Sequence, residues 1–460
     1  MQERFKEMRA ASRSAPPPSV AERRALLSCL RGMVLDHRRD IARSISEDFG
    51  GRAEAETDLV EIVPLMNGIR HAHSSLPRWM RDDRRRVSAA FQPARAWVRY
   101  EPLGVIGIIA PWNYPLYLSL GPLVDALAAG NRAIIKPSEL TPRFSDLLVR
   151  IVAERFSPDS VTVVTGGPDV AEAFSSLPFD HLIFTGSTAV GRLVMRGAAA
   201  NLTPVTLELG GKSPAIVAPD YDIDKAARSI AFGKFVNAGQ TCVAPDYVLA
   251  PADSADYLAQ RLLAAVQRGY PTIQSNEQYT GMITERHRAR LVAAVAEAED
   301  AGATVLTHPD ASGPSGKMAP TFVLDPPADG ILMTEEIFGP VLPIVRYEML
   351  DDALAVVNAR ERPLALYCYT DERTTRDFVL ENATSGGVTI NGSLMHVAQD
   401  DLPFGGVGAS GMGSYHGLEG FRRFSHARAV HQIGFVNVFE KLGPPWGRLA
   451  RQTARFLIGR

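Results

Sequence analysis

Hydrophobic spacing divides the chain into a helical start and two longer stretches in which strands and helices alternate. Over residues 20–80, apolar positions such as Leu26 and Val34 recur at helical spacing between charged residues, which predicts a helical cap. From 103 to 210, short β-branched runs such as GVIGIIA, RAIIKP and HLIFTG alternate with helical patterns, and a similar block runs from 213 to 405. This alternation is typical of βαβ units on parallel sheets and predicts an α/β protein.

Two smaller segments depart from this pattern. RVSAAFQPARAWVRYEPL alternates apolar and polar residues around Gln92-Pro93, which predicts a hairpin at an edge or in a dimer contact. Near the C-terminus, ARAVHQIGFV predicts a further strand, and the basic tail WGRLARQTARFLIGR follows it.

Composition narrows the class of protein. The 460 residues predict two to three domains, and 49 basic against 51 acidic side chains give a net charge of -2. This balance creates no global field for a polyanion, so we expect no nucleic-acid partner. Three widely spaced cysteines argue against a disulfide framework, and the start of the chain has no apolar signal segment. We therefore expect a soluble cytoplasmic protein.

Cys242 is the candidate nucleophile. It lies in the polar, glycine-bearing stretch NAGQTCVAP, whereas Cys29 and Cys368 lie in apolar helix and strand patterns where a thiol packs as a small hydrophobe. A free thiol has a pKa of ~8.5 and is mostly protonated at neutral pH, so such a nucleophile needs a base or a positive environment.

Two other side chains have a chemical and a structural interpretation. Glu208, within LELGGKSP, has apolar neighbours that raise a carboxyl pKa and suit a base near neutrality. The alternative is a glutamate paired with a buried cation. Asn113, within APWNYP, follows a predicted strand and could donate to an oxyanion, or could simply form a turn.

Two loops are candidates for holding a nucleotide. In FTGSTAVG, Gly186 and Gly191 come at the start of a predicted helix, where backbone amides bind phosphate, but a glycine turn that packs the helix on a strand is equally consistent. The spacing matches neither the dinucleotide fingerprint nor the P-loop. Lys136 and Glu139 follow a strand as ribose-binding residues do, with a solvated loop as the alternative.

The remaining motifs are less specific. EEIFGPV carries a carboxylate pair and PFGGVGASGMGSYHG a run of glycines, and both could be structural loops. His71 and His73 have no neighbouring ligand pattern, so we expect no metal site.

Together, PWNYP, KPSE, FTGSTAVG, LELGGKSP, NAGQTC, EEIFGPV and PFGGVGASGMG resemble, in order and spacing, the NAD(P)-dependent aldehyde dehydrogenase family over residues 100 to 425. FQPARA, PWNYPLYLSLGPL and HVAQDDLPFGGVGASGMGSYHG look most like the coniferyl aldehyde dehydrogenases, relatives of the dimeric class 3 enzymes. The resemblance implies oxidation of an aldehyde, aromatic and coniferaldehyde-like, to its carboxylate with NAD or NADP.

The resemblance also implies roles for particular residues. Cys242 would be the nucleophile, Asn113 and the Cys242 amide the oxyanion hole, and Glu208 the base, with Glu336 as a competitor for that role. The residues implied for NAD(P) are Trp112, Lys136, Glu139, Gly186, Ser187, Gly191, Glu336 and Phe338. Those implied for the aldehyde tunnel are Tyr114, Tyr117, His396 and Phe404.

The implied architecture is a Rossmann-type cofactor domain, an α/β catalytic domain and a small β bridging element in a homodimer. The expected ranges are 1–80 and 104–210 for the cofactor domain, 211–407 for the catalytic domain, 81–103 and 426–437 for the bridging element, and 438–460 for the tail. The tail could touch an anionic membrane, but packing against the partner subunit is the interpretation we favour.

Three alternatives remain. A class 3-like enzyme would act on medium- or long-chain aliphatic aldehydes. A cysteine-dependent esterase would use Cys242 and a base without the nucleotide loops. A non-catalytic binding protein on this fold would be expected to lack Cys242 or Glu208, and both are present.

Overall fold

A computed structural model describes residues 1–311, 313 and 315–459 of the chain. The helices are α1 (Gln2–Ser14), α2 (Val20–Asp36), α3 (Arg38–Asp48), α4 (Glu54–Thr57), α5 (Val63–Trp79), α6 (Pro115–Ala129), α7 (Pro142–Arg155), α8 (Pro168–Ser175), α9 (Thr188–Ala199), α10 (Ile223–Phe235), α11 (Ala255–Gly269), α12 (Glu285–Asp300), α13 (Ile331–Thr334), α14 (Leu350–Asn358), α15 (Arg373–Asn382), α16 (Gly417–Arg423), α17 (Val438–Leu442) and α18 (Arg448–Ile458).

The strands are β1 (Asp83–Arg85), β2 (Arg95–Pro102), β3 (Val105–Ile109), β4 (Arg132–Lys136), β5 (Val161–Val163), β6 (His181–Gly186), β7 (Val205–Leu209), β8 (Pro214–Val217), β9 (Tyr247–Pro251), β10 (Thr304–Thr307), β11 (Thr321–Leu324), β12 (Val341–Tyr347), β13 (Ala365–Tyr369), β14 (Gly387–Ile390), β15 (Gly411–Met412) and β16 (Ser425–Gln432). A π turn spans Asp58–Ile62, and single 3₁₀ turns span Ala89–Phe91 and Val236–Gly239.

Two predominantly parallel sheets form the two halves of the molecule, which confirms the predicted α/β class. The six-stranded sheet has the order β15-β7-β6-β3-β4-β5, with only the short β15 antiparallel to its neighbour. The seven-stranded sheet has the order β10-β11-β12-β9-β8-β13-β14, with β10 antiparallel. Helices join successive parallel strands, as βαβ crossovers require.

The helical cap predicted for 20–80 is present as α2 to α5. Its apolar stripe is buried because Leu27, Leu30 and Val34 pack into the same core as Leu120 and Leu127 of α6. This packing covers one face of the six-stranded sheet, which parallel strands need on both faces.

A separate three-stranded antiparallel sheet, β1-β2-β16, contains an antiparallel pair as expected, but the first arm of the predicted hairpin is wrong: β1 lies at Asp83–Arg85, and residues 86–94, with a 3₁₀ turn at Ala89–Phe91, form the connection to β2. The strand predicted within ARAVHQIGFV, residues 427–436, is present but begins and ends earlier, because β16 spans Ser425–Gln432. Its ends follow its partner, since Ser425 faces Pro102 and Gln432 faces Arg95 along the full length of β2. Among the described residues, no helix has the length and hydropathy needed to cross a membrane.

The strand order of the six-stranded sheet creates a ligand crevice. The chain passes from β3 through α6 to β4 on one side, and later returns to β6 on the other side of β3. Where strand order reverses in this way, the helices diverge and leave a crevice at the carboxyl ends of the strands. Trp112 and Asn113 follow β3 at this edge, and Gly186 and Ser187 follow β6.

Candidate active site

A cavity of about 830 Å³ opens between the two sheets. Cys242 and Glu208 both line it, although they come from different sheets: Glu208 is the fourth residue of β7, and Cys242 lies between α10 and β9. Most of the wall is apolar or aromatic, as expected of a small-molecule site. The fold therefore brings together the two residues that the sequence singles out for chemistry.

The segment before Cys242 is a strained turn. Asn237, Ala238 and Gly239 all have left-handed φ values, of 54°, 51° and 75°. Left-handed backbone is unfavourable for alanine and is kept only where surrounding contacts impose it. One such contact is the close approach of Gly239 to the carbonyl oxygen of Gly339, which a Cβ atom on Gly239 would meet at 2.3 Å.

Hydrogen bonds hold this turn in place. The Asn237 side chain donates to the carbonyl oxygen of Asn113 over 2.9 Å. The Gln240 side chain donates to the carbonyl oxygen of Gly281 over 3.0 Å and accepts from the amide of Ile283 over 2.9 Å. Because both donors are fully buried, these contacts fix the position of the nucleophile.

Cys242 is a half-buried thiol in an unfavourable field for its own ionisation. Burial raises the pKa of the thiol to about 12, and the charges of Glu336 and Glu208 raise it further. The backbone amides of Cys242 and Val243 act in the opposite direction by hydrogen bonding to the sulfur. The thiol therefore remains protonated at neutral pH unless a neighbouring base removes its proton.

Glu208 is buried without a partner. Only 2% of the residue is exposed, and neither carboxylate oxygen has a hydrogen-bond partner in the described part of the chain. Burial raises its pKa well above the ordinary value, and the charge of Arg423 offsets only part of this. The alternative of a glutamate hydrogen-bonded to a buried cation is thus not what the structure has, and an unpaired buried carboxyl is typical of a functional site.

Glu336 provides the second carboxyl of the site. Its Oε2 atom occupies the space beside Gly210, where a Cβ atom would come within 2.0 Å of it. The amide of Gly211 hydrogen-bonds to the carboxyl, while burial raises its pKa to about 8. Because Gly210 has no side chain, it leaves the space that the Glu336 carboxyl occupies.

Asn113 lies against the Cys242 turn. Its side-chain nitrogen donates to the carbonyl oxygen of Gln240 over 3.1 Å, and the residue is 2% exposed. This contact joins residues from the two sheets, so Asn113 is more than a local turn residue. An amide nitrogen carries two hydrogens, which leaves the second one to donate to a ligand.

Three of the four predicted tunnel residues, Tyr114, Tyr117 and Phe404, line the cavity, and Tyr114 hydrogen-bonds Thr241 over 2.5 Å. His396 does not line it. Its ring is turned away to accept or donate a 2.9 Å hydrogen bond with Thr389.

Wall residues next to His396 and within two other motifs were missed from the sequence. The signal that could have identified them is that each lies within or close to a motif named above. They are Thr185, Leu394, Met395, Val397 and Tyr415.

The crevice at the end of β4 is polar and partly open. Lys136 is 2% exposed, and its ammonium group donates to the Glu139 carboxylate over 3.3 Å and to the carbonyl oxygen of Pro137 over 3.2 Å. Glu139 itself is exposed. A buried cation therefore orients an acidic group whose other oxygen faces solvent.

The glycine loop after β6 packs the start of α9 against the sheet. Ser187 caps α9 by accepting from the amide of Val190 over 3.4 Å. Gly186 has no room for a side chain, because a Cβ atom would lie 2.5 Å from the ring of Phe184. Gly191 is buried, and its Cβ would lie 2.7 Å from Leu209 of β7, so this glycine packs the helix on the strand.

Trp112 and Phe338 meet at the boundary between cavity and crevice. Their rings pack edge to face with centroids 5.3 Å apart, and Phe338 has a left-handed φ of 50°. This contact places Phe338, two residues after Glu336, against the segment that follows β3.

The residues present fit an NAD(P) molecule in the crevice. The fit rests on the unpartnered Oε1 atom of Glu336, the Lys136 and Glu139 pair, and the amino end of α9. Val190 and Leu193 on α9 are 43% and 57% exposed, which provides an apolar surface for a flat ring. Within the described residues, no group of three or more His, Cys, Asp or Glu side chains is arranged to hold a metal ion.

Comparison with known sequences agrees with this geometry. The profile of the aldehyde dehydrogenase family matches residues 1–430. The chain is 49% identical over 444 residues to a probable coniferyl aldehyde dehydrogenase of Pseudomonas aeruginosa, covering 96% of this chain and 93% of the relative. It is 39% identical over 424 residues to a dimeric NADP-preferring aldehyde dehydrogenase of Canis lupus familiaris, covering 92% of each.

Solved structures lead to the same family. The substrate-bound state of Staphylococcus aureus AldH superposes with a TM-score of 0.93 at 35% identity and covers 99% of both chains. A Mycobacterium tuberculosis aldehyde dehydrogenase in complex with NAD+ superposes with a TM-score of 0.84 at 29% identity, covering 94% of this chain and 90% of the other. The family profile, the sequence relatives and the shared fold together show that this chain belongs to the aldehyde dehydrogenase family.

Proposed function

We propose that the physiological substrates of this NAD(P)-dependent aldehyde dehydrogenase are aromatic aldehydes of the coniferaldehyde type, which it oxidises to carboxylates. The observation that supports this most directly is the cavity itself, where a half-buried thiol lies at the end of a wall containing Tyr114, Tyr117 and Phe404. Aromatic walls favour flat rings through stacking and burial of apolar area. The 49% identical relative is named a probable coniferyl aldehyde dehydrogenase, which supports the same substrate.

A second substrate class is supported by cavity size. A cavity of about 830 Å³ lies toward the upper end of the roughly 300 to 1,000 Å³ typical of ligand pockets, so it has room beyond one substituted ring. Leu59, Val60 and Phe232 continue the apolar lining. Medium- and long-chain aliphatic aldehydes are therefore the alternative substrates.

In the proposed mechanism, Cys242 forms a covalent bond to the substrate. Once its proton has been removed, the sulfur adds to the carbonyl carbon, and the carbonyl oxygen becomes an oxyanion that accepts from the Cys242 amide and the free N–H of Asn113. Bound NAD(P)+ supplies the acceptor for the hydride that leaves this carbon. Cys242 then carries the acyl group as a thioester.

Hydrolysis of this thioester is assigned to Glu208. Its raised pKa suits proton transfer near neutral pH, and both of its oxygens are free to accept a proton from water. Water attacks the acyl carbon, Glu208 takes the proton, the carbon–sulfur bond breaks, and the carboxylate product leaves. Glu336 is the competing base, and its place beside Gly210 supports a second role next to the nicotinamide.

We assign cofactor binding to the residues along the crevice. Lys136 and Glu139 would hold the adenosine ribose, Gly186 and Ser187 the pyrophosphate, with Gly191 acting through packing of α9. Trp112, Glu336 and Phe338 would lie at the nicotinamide end. An exposed carboxylate accepts ribose hydroxyls and repels a 2′-phosphate, which favours NAD over NADP.

The protein is proposed to act as a cytoplasmic homodimer. One relative is named as dimeric. The bridging sheet continues into a tail with large exposed apolar residues, including Phe435 at 95% and Phe456 at 82% exposure, and α18 has no buried residue among those described. Packing against the partner subunit would cover them, and the alternative is an anionic membrane surface. Arg460, the last residue of the predicted tail, lies outside the described residues.

An aldehyde panel tests the proposed substrate. We expect kcat/KM for coniferaldehyde to exceed that for acetaldehyde, with a linear medium-chain aldehyde between them and with NAD preferred to NADP. Equal or better use of acetaldehyde would contradict the aromatic substrate. Titration of tryptophan fluorescence with NAD separates this enzyme from a cysteine-dependent esterase, which would show no nucleotide binding.

A further inference from the structure

One buried ion pair joins the three segments that carry Cys242, Glu208 and Glu336. It consists of Lys212 and Asp246, whose side chains are 8% and 5% exposed and whose charged atoms lie 2.5 Å apart. Lys212 comes four residues after Glu208, and Asp246 comes four residues after Cys242. The pair therefore links the strand end of one sheet to the nucleophile turn of the other.

The same pair holds the third segment. The Lys212 ammonium also donates to the carbonyl oxygens of Leu332 over 2.8 Å and Glu335 over 2.9 Å. The Asp246 carboxylate accepts the amide of Ile337 over 3.1 Å. All three hydrogens of the ammonium are thus used, and Glu336 lies between two backbone groups that the ion pair holds.

Isolated buried ion pairs contribute little net stability, because desolvation of both charges offsets their attraction. The Lys212–Asp246 pair is not isolated, since its other hydrogen bonds all go to the backbone around Glu336. Arg290 also binds this loop, through the carbonyl oxygens of Glu336 and Ile337, but from an exposed side and without contact to the other two segments. Of these two sets of contacts, only that of the Lys212–Asp246 pair reaches all three segments.

We propose that Lys212 and Asp246 are positioning residues that hold Glu336 and Phe338 at a set distance from Cys242. The effect of this positioning on turnover rests on the proposed function, whereas its effect on the backbone of residues 335–337 does not. Neither residue touches the reacting atoms. Both act through the backbone of residues 335–337, which sets where the Glu336 carboxyl and the Phe338 ring lie.

The test is hydrogen exchange of the full-length apoprotein measured by mass spectrometry. In Lys212→Met, amides of 332–338 should exchange faster, on the order of tenfold or more, because two backbone carbonyls lose their donor and the Asp246 carboxylate, which accepts the Ile337 amide, loses its partner cation. Exchange in β3 and β4 should be unchanged. Lys225→Met, at an exposed lysine of α10, is the matched control and should behave as the wild type.

Two further variants separate positioning from folding. Lys212→Arg retains the charge and should restore protection of 332–338 in part. Asp246→Asn retains an oxygen for the Ile337 amide but removes the charge, so it remains informative where Lys212→Met fails to fold. In kinetics, Lys212→Met should lower kcat and raise the KM for NAD+, each by about tenfold, with KM for the aldehyde within about twofold.

Unchanged exchange at 332–338 in both Lys212→Met and Asp246→Asn would overturn the proposal. Exchange that rises equally throughout the chain would also overturn it, because the pair would then serve only global stability. Since the exchange arm uses neither substrate nor cofactor, its result stands even where the wild type fails to oxidise the aldehyde panel, and the two failures remain distinguishable.

Discussion

The cavity around Cys242 and the crevice after β4 and β6 differ in whether their polar groups have partners within the protein. In the cavity, Glu208 is buried and unpartnered and the Cys242 thiol has a raised pKa, and Glu336, near that thiol, has one free oxygen. In the crevice, Lys136 is paired with an exposed Glu139, and Ser187 uses its hydroxyl to cap a helix. One region keeps its polar groups unsatisfied, and the other satisfies them within the protein or with solvent.

This difference predicts how each region responds to change. Unpaired buried groups destabilise a fold, so they are kept where a reacting molecule completes their bonds, and changes there should act on rate. Satisfied or solvated groups bind without being consumed, so changes in the crevice should act on cofactor choice. The expected effects therefore fall from the cavity to the crevice.

The largest effect is expected at the nucleophile. Cys242→Ser should lower NADH formation by about 10³-fold or more, because a hydroxyl cannot ionise in a site that already disfavours a thiolate. Cys29→Ser, at a half-buried thiol on α2, is the matched control and should retain activity within about twofold. The measurement is initial NADH absorbance with coniferaldehyde. A comparable loss of NADH formation in both variants would contradict the assignment of Cys242 as the nucleophile.

A smaller loss is expected from a single methyl group at Gly210. Gly210→Ala would place a Cβ atom 2.0 Å from the Glu336 carboxyl and push it from the nucleophile. We expect kcat to fall by about 10- to 100-fold, as displacement of about 1 Å can do. Gly211→Ala is the control, because its Cβ would meet backbone atoms at 3.4 Å. Equal kcat values in the two variants would show that Glu336 has no set position.

The pH dependence of kcat/KM should reflect the ionisable groups at and near Cys242. Burial raises the pKa values of Cys242, to about 12, and of Glu336, to about 8, and each group acts in its deprotonated form. Activity is therefore lost as pH falls through these values, and kcat/KM should rise from pH 7 to 9, by about tenfold per unit above pH 8, where only the thiol titrates, and more steeply below pH 8, where Glu336 titrates as well. A profile that is flat between pH 6 and 8 would contradict this. Glu336→Gln should remove the contribution to the pH profile of kcat/KM that has a pKa near 8.

The smallest effect is expected in the crevice. Glu139→Gln removes an exposed charge, so the ratio of kcat/KM for NADP to that for NAD should rise by about three- to tenfold while kcat with NAD stays within about twofold. Glu172→Gln, at an exposed glutamate of α8, is the control. An unchanged ratio in Glu139→Gln would show that another residue selects the cofactor.

The sequence predicts much of the fold because helix spacing and strand runs are local signals. Apolar spacing over 254–268 and 285–301 predicts two helices, and the structure has them as Ala255–Gly269 and Glu285–Asp300. The ends of the last strand differ from the ARAVHQIGFV pattern because pairing with β2, a contact across more than 300 residues, decides where the strand begins and ends.

For the site, motifs identify residues that could react but not how they are arranged. Gly186 and Gly191 look alike in FTGSTAVG, yet only contact with Leu209 shows that Gly191 packs a helix on a strand. His396 lies beside wall residues, but its hydrogen bond to Thr389 turns its ring from the cavity. Such outcomes depend on side chains from distant segments, which no local pattern encodes.

The central claim is that Cys242 carries the acyl group and Glu208 activates the water that removes it. Glu208→Gln tests it directly by intact-mass analysis after mixing with coniferaldehyde and NAD. The amide retains size and hydrogen bonding but accepts no proton, so deacylation should slow by about 10²-fold or more. We predict one equivalent of NADH in a burst and an acyl adduct that peptide mapping places on Cys242. Absence of the burst with Cys242 unmodified, or a nearly normal steady state with no adduct, would contradict this account.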